Sequence, residues 1–253
     1  MTLADLIGYR ALVTGGSRGI GRGIALALAG CGASLVITYR RAEEEAASAV
    51  AEIEALGGRA LALKSDASDL EQVEDAFARA NEFLGGLDTV VANAGLPSGV
   101  APVSQVEPRY WRKVLDTNLD GVFYTLRTAV PYIEKAGGGS ITAISSIAAD
   151  NLMPFGSPYN VAKAGVNALT LTLAKEVASS GIRVNVVAPG LVKSAMGDAV
   201  VNTHGEAALA SIALGRIGQP DDIGRMVAFL ASSDGDWITG KVLRVDGGQY
   251  IHT

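Results

Sequence analysis

Seven short apolar runs recur along this chain, at Ala11–Thr14, Ser34–Thr38, Ala60–Leu63, Leu87–Ala92, Ser140–Ile144, Arg183–Val187 and Val242–Val245. Each has the length of a strand, and most are followed by turn-forming or polar residues. Between them lie longer stretches with helical patterning, including Gly19–Ala29, Ala42–Leu56, Leu70–Leu84, Pro108–Ile133 and Ser157–Ser179. Continuous apolar strands alternating with helices can bury themselves only in a parallel sheet covered on both faces. The pattern therefore predicts an α/β fold, a doubly wound parallel sheet of about seven strands. Pro108 and Pro220 suit first-turn helix positions, with Ser104 and Gln219 near the starts, and Pro131 is expected to end or kink the long fourth helix.

No Pro/Ser-rich linker, charge run or composition shift divides the 253 residues, so one domain over 1–253 is expected. The 49% hydrophobic content and 31 glycines fit many short buried runs joined by tight turns. The segment from Ser194 to Gly215 is less regular, with Met196, Gly197, Asn202, His204 and Gly205, and is expected to form a mobile substrate lid at about 194–215; a plain surface excursion is the alternative.

Several classes of function drop out. No run is long enough to cross a bilayer, and Met1 to Arg10 contains Asp5 and lacks a basic start with an apolar core, which predicts a cytoplasmic protein with no membrane partner. The single cysteine, Cys31, can form no internal disulfide and fits a reducing compartment. The two histidines, His204 and His252, have no Cys, Asp or Glu at ligand spacing, so no metal site is expected. A formal charge of -5 without a basic stripe opposes nucleic-acid binding. The expected ligand is a small molecule.

Two segments carry chemistry. The first strand runs into Thr14-Gly15-Gly16-Ser17-Arg18-Gly19-Ile20-Gly21. Glycines there permit a tight turn and a close backbone approach to pyrophosphate, while a helix amino end presents unpaired N–H groups to negative charge. Further on, Tyr159 and Lys163 stand four apart on a predicted helix, thirteen residues after Ser146. That spacing stacks phenol and ammonium on one face, where positive charge favours phenolate. A free tyrosine titrates near ~10, so bringing it to neutrality takes roughly 4 kcal/mol, within reach of one close lysine in a partly dry site.

The spacing Gly15, Gly19, Gly21 differs from the commoner G-x-G-x-x-G. Together with Asn93-Ala94-Gly95, Ser146, Tyr159 and Lys163 it resembles the short-chain dehydrogenases/reductases, including their 3-oxoacyl-(acyl-carrier-protein) reductase-like carbonyl reductases. The resemblance extends from about Arg10 to Gly248, through Pro189-Gly190 and Val245-Asp246-Gly247-Gly248. It implies a Rossmann-type dinucleotide fold in which Gly15, Ser17, Arg18, Gly19, Ile20, Gly21, Tyr39, Arg40, Asp66, Ala67, Asn93, Ala94, Gly95, Tyr159, Lys163, Pro189, Gly190 and Val192 hold the cofactor. An acidic residue at the end of strand two would favour NAD. Tyr39-Arg40-Arg41 stands there instead, so the resemblance implies NADPH/NADP, clamped at its 2′-phosphate by Arg40 and Arg18, with NADH/NAD less favoured. Solvated charges at a helix start are the alternative for Arg40 and Arg41, and ordinary turn chemistry is the alternative for Asp66 and Asn93–Gly95.

The resemblance also implies four catalytic residues. Ser146 would hold the substrate oxygen, Tyr159 would deliver its proton, Lys163 would depress the tyrosine pKa and hold the nicotinamide ribose, and Asn118 would hold a proton-relay water. Leu96, Pro97, Met153, Phe155 and the Pro189–Met196 region are expected to line an apolar pocket suited to a ketone or the corresponding alcohol. The family's carrier-protein reductases often carry basic residues where this chain has Gly137-Gly138-Gly139 and Ser179-Ser180, leaving Arg127, Lys135 and Arg183 as possible positive surface. A free-carbonyl reductase is therefore the favoured reading; carrier-protein reduction, NAD-dependent secondary alcohol oxidation and a nucleotide-binding regulatory protein are the alternatives. The family implies a homotetramer, for which Phe123, Leu126, Leu169 and Leu173 are candidates, a core role being equally compatible with each.

Overall fold

All seven apolar runs are strands in the computed structural model, which describes residues 4–97 and 101–251. Strands β1 (Arg10–Val13), β2 (Ser34–Tyr39), β3 (Ala60–Lys64), β4 (Thr89–Ala92), β5 (Gly139–Ile144), β6 (Ile182–Pro189) and β7 (Val242–Val245) form one sheet in the order β3-β2-β1-β4-β5-β6-β7. Every pairing is parallel, with Leu12 beside Val36 and Val90 at the centre. The expected Rossmann-type sheet is the observed one.

The pleat sends alternate side chains to opposite faces. Ala11, Val13, Leu35 and Ile37 enter one core, where they meet Ile24 and Leu28 of α1 (Gly19–Gly30), Ile53 of α2 (Glu43–Ala55) and Val227 of α8 (Pro220–Ala231). Leu12, Val36, Val90 and Ile141 enter the other, against Phe77 of α3 (Leu70–Leu84), Leu126 of α5 (Gly121–Lys135) and Val166 of α6 (Ser157–Val177). Burial on both faces explains why these strands read as unbroken apolar runs. Leu126, named above as an interface candidate, is thus a core residue at 1% exposure, whereas Phe123 is exposed.

The expected long fourth helix differs from the structure. It is interrupted at Asp116–Asp120, a π-helical turn between α4 (Pro108–Leu115) and α5, while α5 runs through Pro131 to Lys135 without stopping. Pro131 and Arg127 lie on the exposed face, where water can satisfy the Arg127 carbonyl that loses its helical partner. The Ser194–Gly215 segment is also more regular than expected: Ala195–Ala210 forms α7, broken only at Gly205, where φ is 47° and ψ -124°. The side chains of Asn202 and His204, and residue His252, lie outside what the structure describes.

Because parallel strands all end at the same edge, the turns after β1 to β6 converge on one rim. Strand order reverses between β1 and β4, the place where an α/β sheet opens a crevice.

Candidate active site

Thr14 organises the rim from its centre. Its hydroxyl accepts from the amides of Asn93 and Ala94, at 3.0 and 3.1 Å, so the turns after β1 and β4 are tied together. Asn93 returns the connection, donating from Nδ2 to the carbonyls of Thr14 and Gly15 at 2.9 and 3.1 Å. Thr38 at the end of β2 accepts from the Gly16 amide with its carbonyl and from the Gly15 amide with its hydroxyl. Gly15 has φ 65°, and a Cβ on Gly21 would run into the Gly15 carbonyl, so this turn can be this tight only with glycine at both positions.

The turn leaves α1 open at its amino end. Arg18 is the N-cap residue and makes no side-chain cap bond, and the first turn carries no acidic residue. Unpaired N–H groups and the helix dipole therefore meet the rim uncompensated, an arrangement that fits an anionic pyrophosphate. Ser17 is buried, Arg18 is exposed and Gly19 and Ile20 are half-buried. A cleft of about 480 Å³ opens beside them, lined by Gly19, Arg22, Lys193, Ser194 and Pro220 among others.

At the far end of the crevice, Tyr39 closes β2 and the Arg40 guanidinium lies 3.6 Å from the Asp66 carboxylate. Asp66 also accepts from the Ser68 amide and hydroxyl at 3.0 and 2.7 Å. Burial pushes its pKa up, but these bonds and the Arg40 charge outweigh it, so the carboxyl is held below its ordinary range. Ala67 follows and packs its carbonyl against Gly121, where a Cβ would stand 2.8 Å away.

Tyr159 and Lys163 lie one turn apart on α6, and Ser146 ends the run after β5. The Tyr159 phenol is hydrogen-bonded to the Ser146 side chain. Lys163 is 3% exposed and donates from Nζ to the Ile144 carbonyl at 2.7 Å, with Nζ 5.7 Å from the Tyr159 ring centroid. Burial lowers the lysine pKa to about 8. Burial raises that of Tyr159, and the Ser146 bond offsets this only in part. This corrects the expectation that Lys163 brings the phenol toward neutrality: burial has the largest effect on Tyr159, and the phenol is the stable form at neutral pH. Neighbouring Ser145 turns away and donates to the Lys163 carbonyl at 3.1 Å.

Asn118 sits in the π turn, fully buried. Its Oδ1 accepts from the Leu96 amide at 2.7 Å and its Nδ2 donates to the Leu96 carbonyl at 2.8 Å. The side chain thereby fixes the segment beyond Gly95, whose Cβ, if present, would lie 3.4 Å from Asn118 Oδ1. The opposite wall is Pro189 to Val192. Here Gly190 N donates to the Val245 carbonyl, Leu191 N to Gln249 Oε1 at 2.7 Å, and Val192 is buried. The segment between Ser146 and Tyr159 carries exposed apolar side chains, Leu152 at 66%, Phe155 at 53% and Met153 at 46%, and Met196 at the start of α7 is 37% exposed.

A family model described as enoyl-(acyl carrier protein) reductase matches residues 15–250. The 3-oxoacyl-(acyl-carrier-protein) reductase of Staphylococcus aureus is 40% identical over 241 residues, 95% of this chain and 98% of the relative. The chain belongs to the short-chain dehydrogenase/reductase family. Among solved structures, a short-chain dehydrogenase from Burkholderia cenocepacia in complex with NADP superposes with a TM-score of 0.91 at 37% identity, covering 97% of this chain and 99% of the other. Carveol dehydrogenase from Mycobacterium avium in complex with NAD gives 0.93 at 28% identity, covering 97% and 99%. As a short-chain dehydrogenase/reductase, the protein is an NAD(P)-dependent oxidoreductase.

The candidate cofactor and catalytic residues of this short-chain dehydrogenase/reductase are carried by the turns after β1 to β6 and the positions flanking them, by the π turn (Asn118) and by α6 (Tyr159 and Lys163), whereas Leu126, named as an interface candidate, lies in the core. Four organising residues were not singled out. Thr14, Thr38 and Gln249 act through bonds to segments far away in sequence; Ser194 acts locally, accepting from Gly197 N at 3.0 Å as the N-cap of α7, and carried a local signal as the Ser before a helical stretch. Arg183, named as possible positive surface, is instead directed inward, donating to the carbonyls of Leu230, Ala231, Ser232 and Gly235, and Arg127 pairs with Glu74 at 3.0 Å.

Proposed function

We propose that the chain is an NADPH-dependent carbonyl reductase that converts a free, largely apolar ketone to a secondary alcohol. The observation that carries this reading is the Tyr159 phenol, hydrogen-bonded to Ser146 beside a buried ammonium. Bound NADPH supplies the hydride to the carbonyl carbon. Ser146 orients the carbonyl oxygen, and Tyr159, protonated at neutral pH because its site is dry, gives that oxygen its proton. The Lys163 ammonium stabilises the phenolate left behind and holds the nicotinamide ribose. Asn118 bonds to Leu96 with both its side-chain oxygen and its side-chain nitrogen, so its role is to fix Leu96 on the substrate side.

Cofactor choice rests on Arg40. Gly15, Ser17, Gly19, Ile20 and Gly21 hold the pyrophosphate, Asp66 and Ala67 with Asn93 to Gly95 the adenosine, and Pro189, Gly190 and Val192 the nicotinamide side. Arg40, oriented by Asp66, and Arg18 read the 2′-phosphate, for which a guanidinium fork is suited. The exposed rim of Leu152, Met153, Phe155 and Met196 supports an apolar substrate, and α7 acts as its lid.

Reduction of a carrier-bound acyl thioester is the second reading, favoured by the name of the Staphylococcus aureus relative. Against it, Arg183 is consumed internally and Arg127 is paired with Glu74, so among the described residues Lys135 alone of the three cations named for an acidic carrier is left as exposed, unpaired surface. Purified protein is offered NADPH or NADH with aryl ketones, β-keto esters, diketones and acyl thioesters, and coenzyme consumption is followed by absorbance. NADPH-dependent turnover of free ketones supports the proposal; turnover of acyl thioesters alone overturns it in favour of the second reading.

A further inference from the structure

We infer that Gln249, in the turn after β7, is a positioning residue that couples the nicotinamide-side segment to the lid. The inference rests on the cofactor reading above. Its Oε1 accepts from the Leu191 amide at 2.7 Å, and its Nε2 donates to Ser211 Oγ, just beyond α7, at 3.2 Å. The direction of the second bond is fixed, because the Ser211 hydroxyl spends its own proton on the Ala208 carbonyl at 2.7 Å. One primary amide thus uses its acceptor on the cofactor wall and its donor on the foot of the lid helix, a division no carboxylate can reproduce.

The surroundings hold this amide in place. Asp246 accepts from the amides of Gly248 and Tyr250, both at 2.9 Å, and Gly247 and Gly248 have φ of 63° and 76°, which curls the chain back on itself. On one side this loop meets the cofactor wall so closely that a Cβ on Gly190 would stand 2.7 Å from both Gln249 Oε1 and Asp246 Cβ. On the other, the Leu214 amide donates to the Gly247 carbonyl at 2.9 Å. The loop is therefore wedged between residues 189–191 and residues 211–214, and Gln249 is the side chain that bonds to both. Displacing the lid foot pulls on the amide that fixes Leu191, so the two walls of the crevice are set together.

Three variants separate the two bonds. Gln249→Ala removes both, Gln249→Asn keeps an amide one methylene too short to span them, and Ser211→Ala removes only the lid bond. Each is assayed for NADPH Kd by fluorescence titration, for ketone KM and kcat, and for Tm. Gln249→Ala and Gln249→Asn are expected to weaken NADPH about tenfold, the scale of one lost hydrogen bond to a buried amide, and to raise ketone KM. Ser211→Ala is expected to leave NADPH Kd within about twofold while raising ketone KM about threefold or more. A role in stability alone would lower Tm and leave this split absent. NADPH affinity within about twofold of wild type in Gln249→Ala, or unchanged ketone KM in Ser211→Ala, overturns the inference; if Gln249→Ala does not fold, Gln249→Asn and Ser211→Ala still decide it. Wild-type protein that binds no NADPH overturns the cofactor reading instead, a result distinguishable before any variant is made.

Discussion

Burial drives the Tyr159 and Lys163 pKa values apart, the phenol upward and the ammonium down to about 8. Tyr159→Phe removes the proton donor alone, so carbonyl reduction is expected to fall by about 10²- to 10⁴-fold while NADPH still binds, measured by turnover and by titration. Above pH 8 Lys163 loses the charge that stabilises the phenolate, so the rate of reduction is expected to decline with an apparent pKa near 8. The same shift bears on stability. The unfolded chain binds the lysine proton more tightly than the folded one, so between about 8 and the ordinary lysine value of 10.5 stability rises with pH, and below that window the buried charge is a standing cost. Lys163→Met is accordingly expected to raise Tm at pH 7 by a few degrees and to abolish reduction, a trade of stability for chemistry. Phe155 makes a similar trade. It is one of two non-glycine residues with positive φ among those described, at 65°, in the segment between Ser146 and Tyr159, and its carbonyl accepts from the Ala101 amide at 3.0 Å. A phenylalanine in that region costs about 1 kcal/mol or more. Phe155→Gly is expected to raise Tm by a few degrees while weakening kcat/KM for aryl ketones several-fold and leaving small ketones nearly unaffected; an unchanged aryl preference removes Phe155 from the substrate wall.

The element that most shapes the catalytic side is the π turn at Asp116–Asp120, which turns Asn118 onto Leu96. Asn118→Ala leaves the half-buried amide and carbonyl of Leu96 without their side-chain partner, about 1–2 kcal/mol, and is expected to lower Tm by a few degrees and to reduce kcat through displacement of Leu96, checked by thermal unfolding and turnover. The interruption was not legible in the sequence, because the apolar pattern from Pro108 to Ile133 continues across it while Pro131, the visible breaker, lies on a solvated face that tolerates it. The strands were legible for the opposite reason: buried on both faces, they have to be apolar throughout and end at turns. α7 was obscured by Gly197 and Gly205, which dilute its helical pattern, although Ser194 caps it and only Gly205 breaks it. For the site, the glycine turn and the Tyr–Lys spacing are local patterns with local causes. Thr14 to Asn93 and Leu191 to Gln249 span 79 and 58 residues, and nothing near either partner announces the other.

On the scale of the molecule, the two cores lie on opposite faces of one sheet and share no helix among the described residues, while the rim spans both halves of the strand order: the glycine turn and Arg40 follow β1 and β2, and Ser146 and the Pro189 wall follow β5 and β6. A dinucleotide lying across the β1–β4 switch, as proposed, would bond to both halves and so stabilise the whole fold rather than one element. Ligand at a hundredfold its Kd adds about 2.7 kcal/mol to the folded state. For a chain of this length each kcal/mol moves Tm by about 2–4 °C, so saturating NADPH is expected to raise Tm by roughly 5–10 °C. NADH at the same concentration lacks the 2′-phosphate that Arg40 and Arg18 would hold and is expected to give a clearly smaller shift. Arg40→Asp places a second carboxylate beside Asp66 and against that phosphate, so it is expected to collapse the NADPH shift, raise NADPH KM at least tenfold and leave the NADH shift nearly intact. Equal shifts for the two coenzymes in the wild type, or an NADPH shift that survives Arg40→Asp, would make Arg40 a solvated charge at the start of α2 and return the coenzyme preference to other residues.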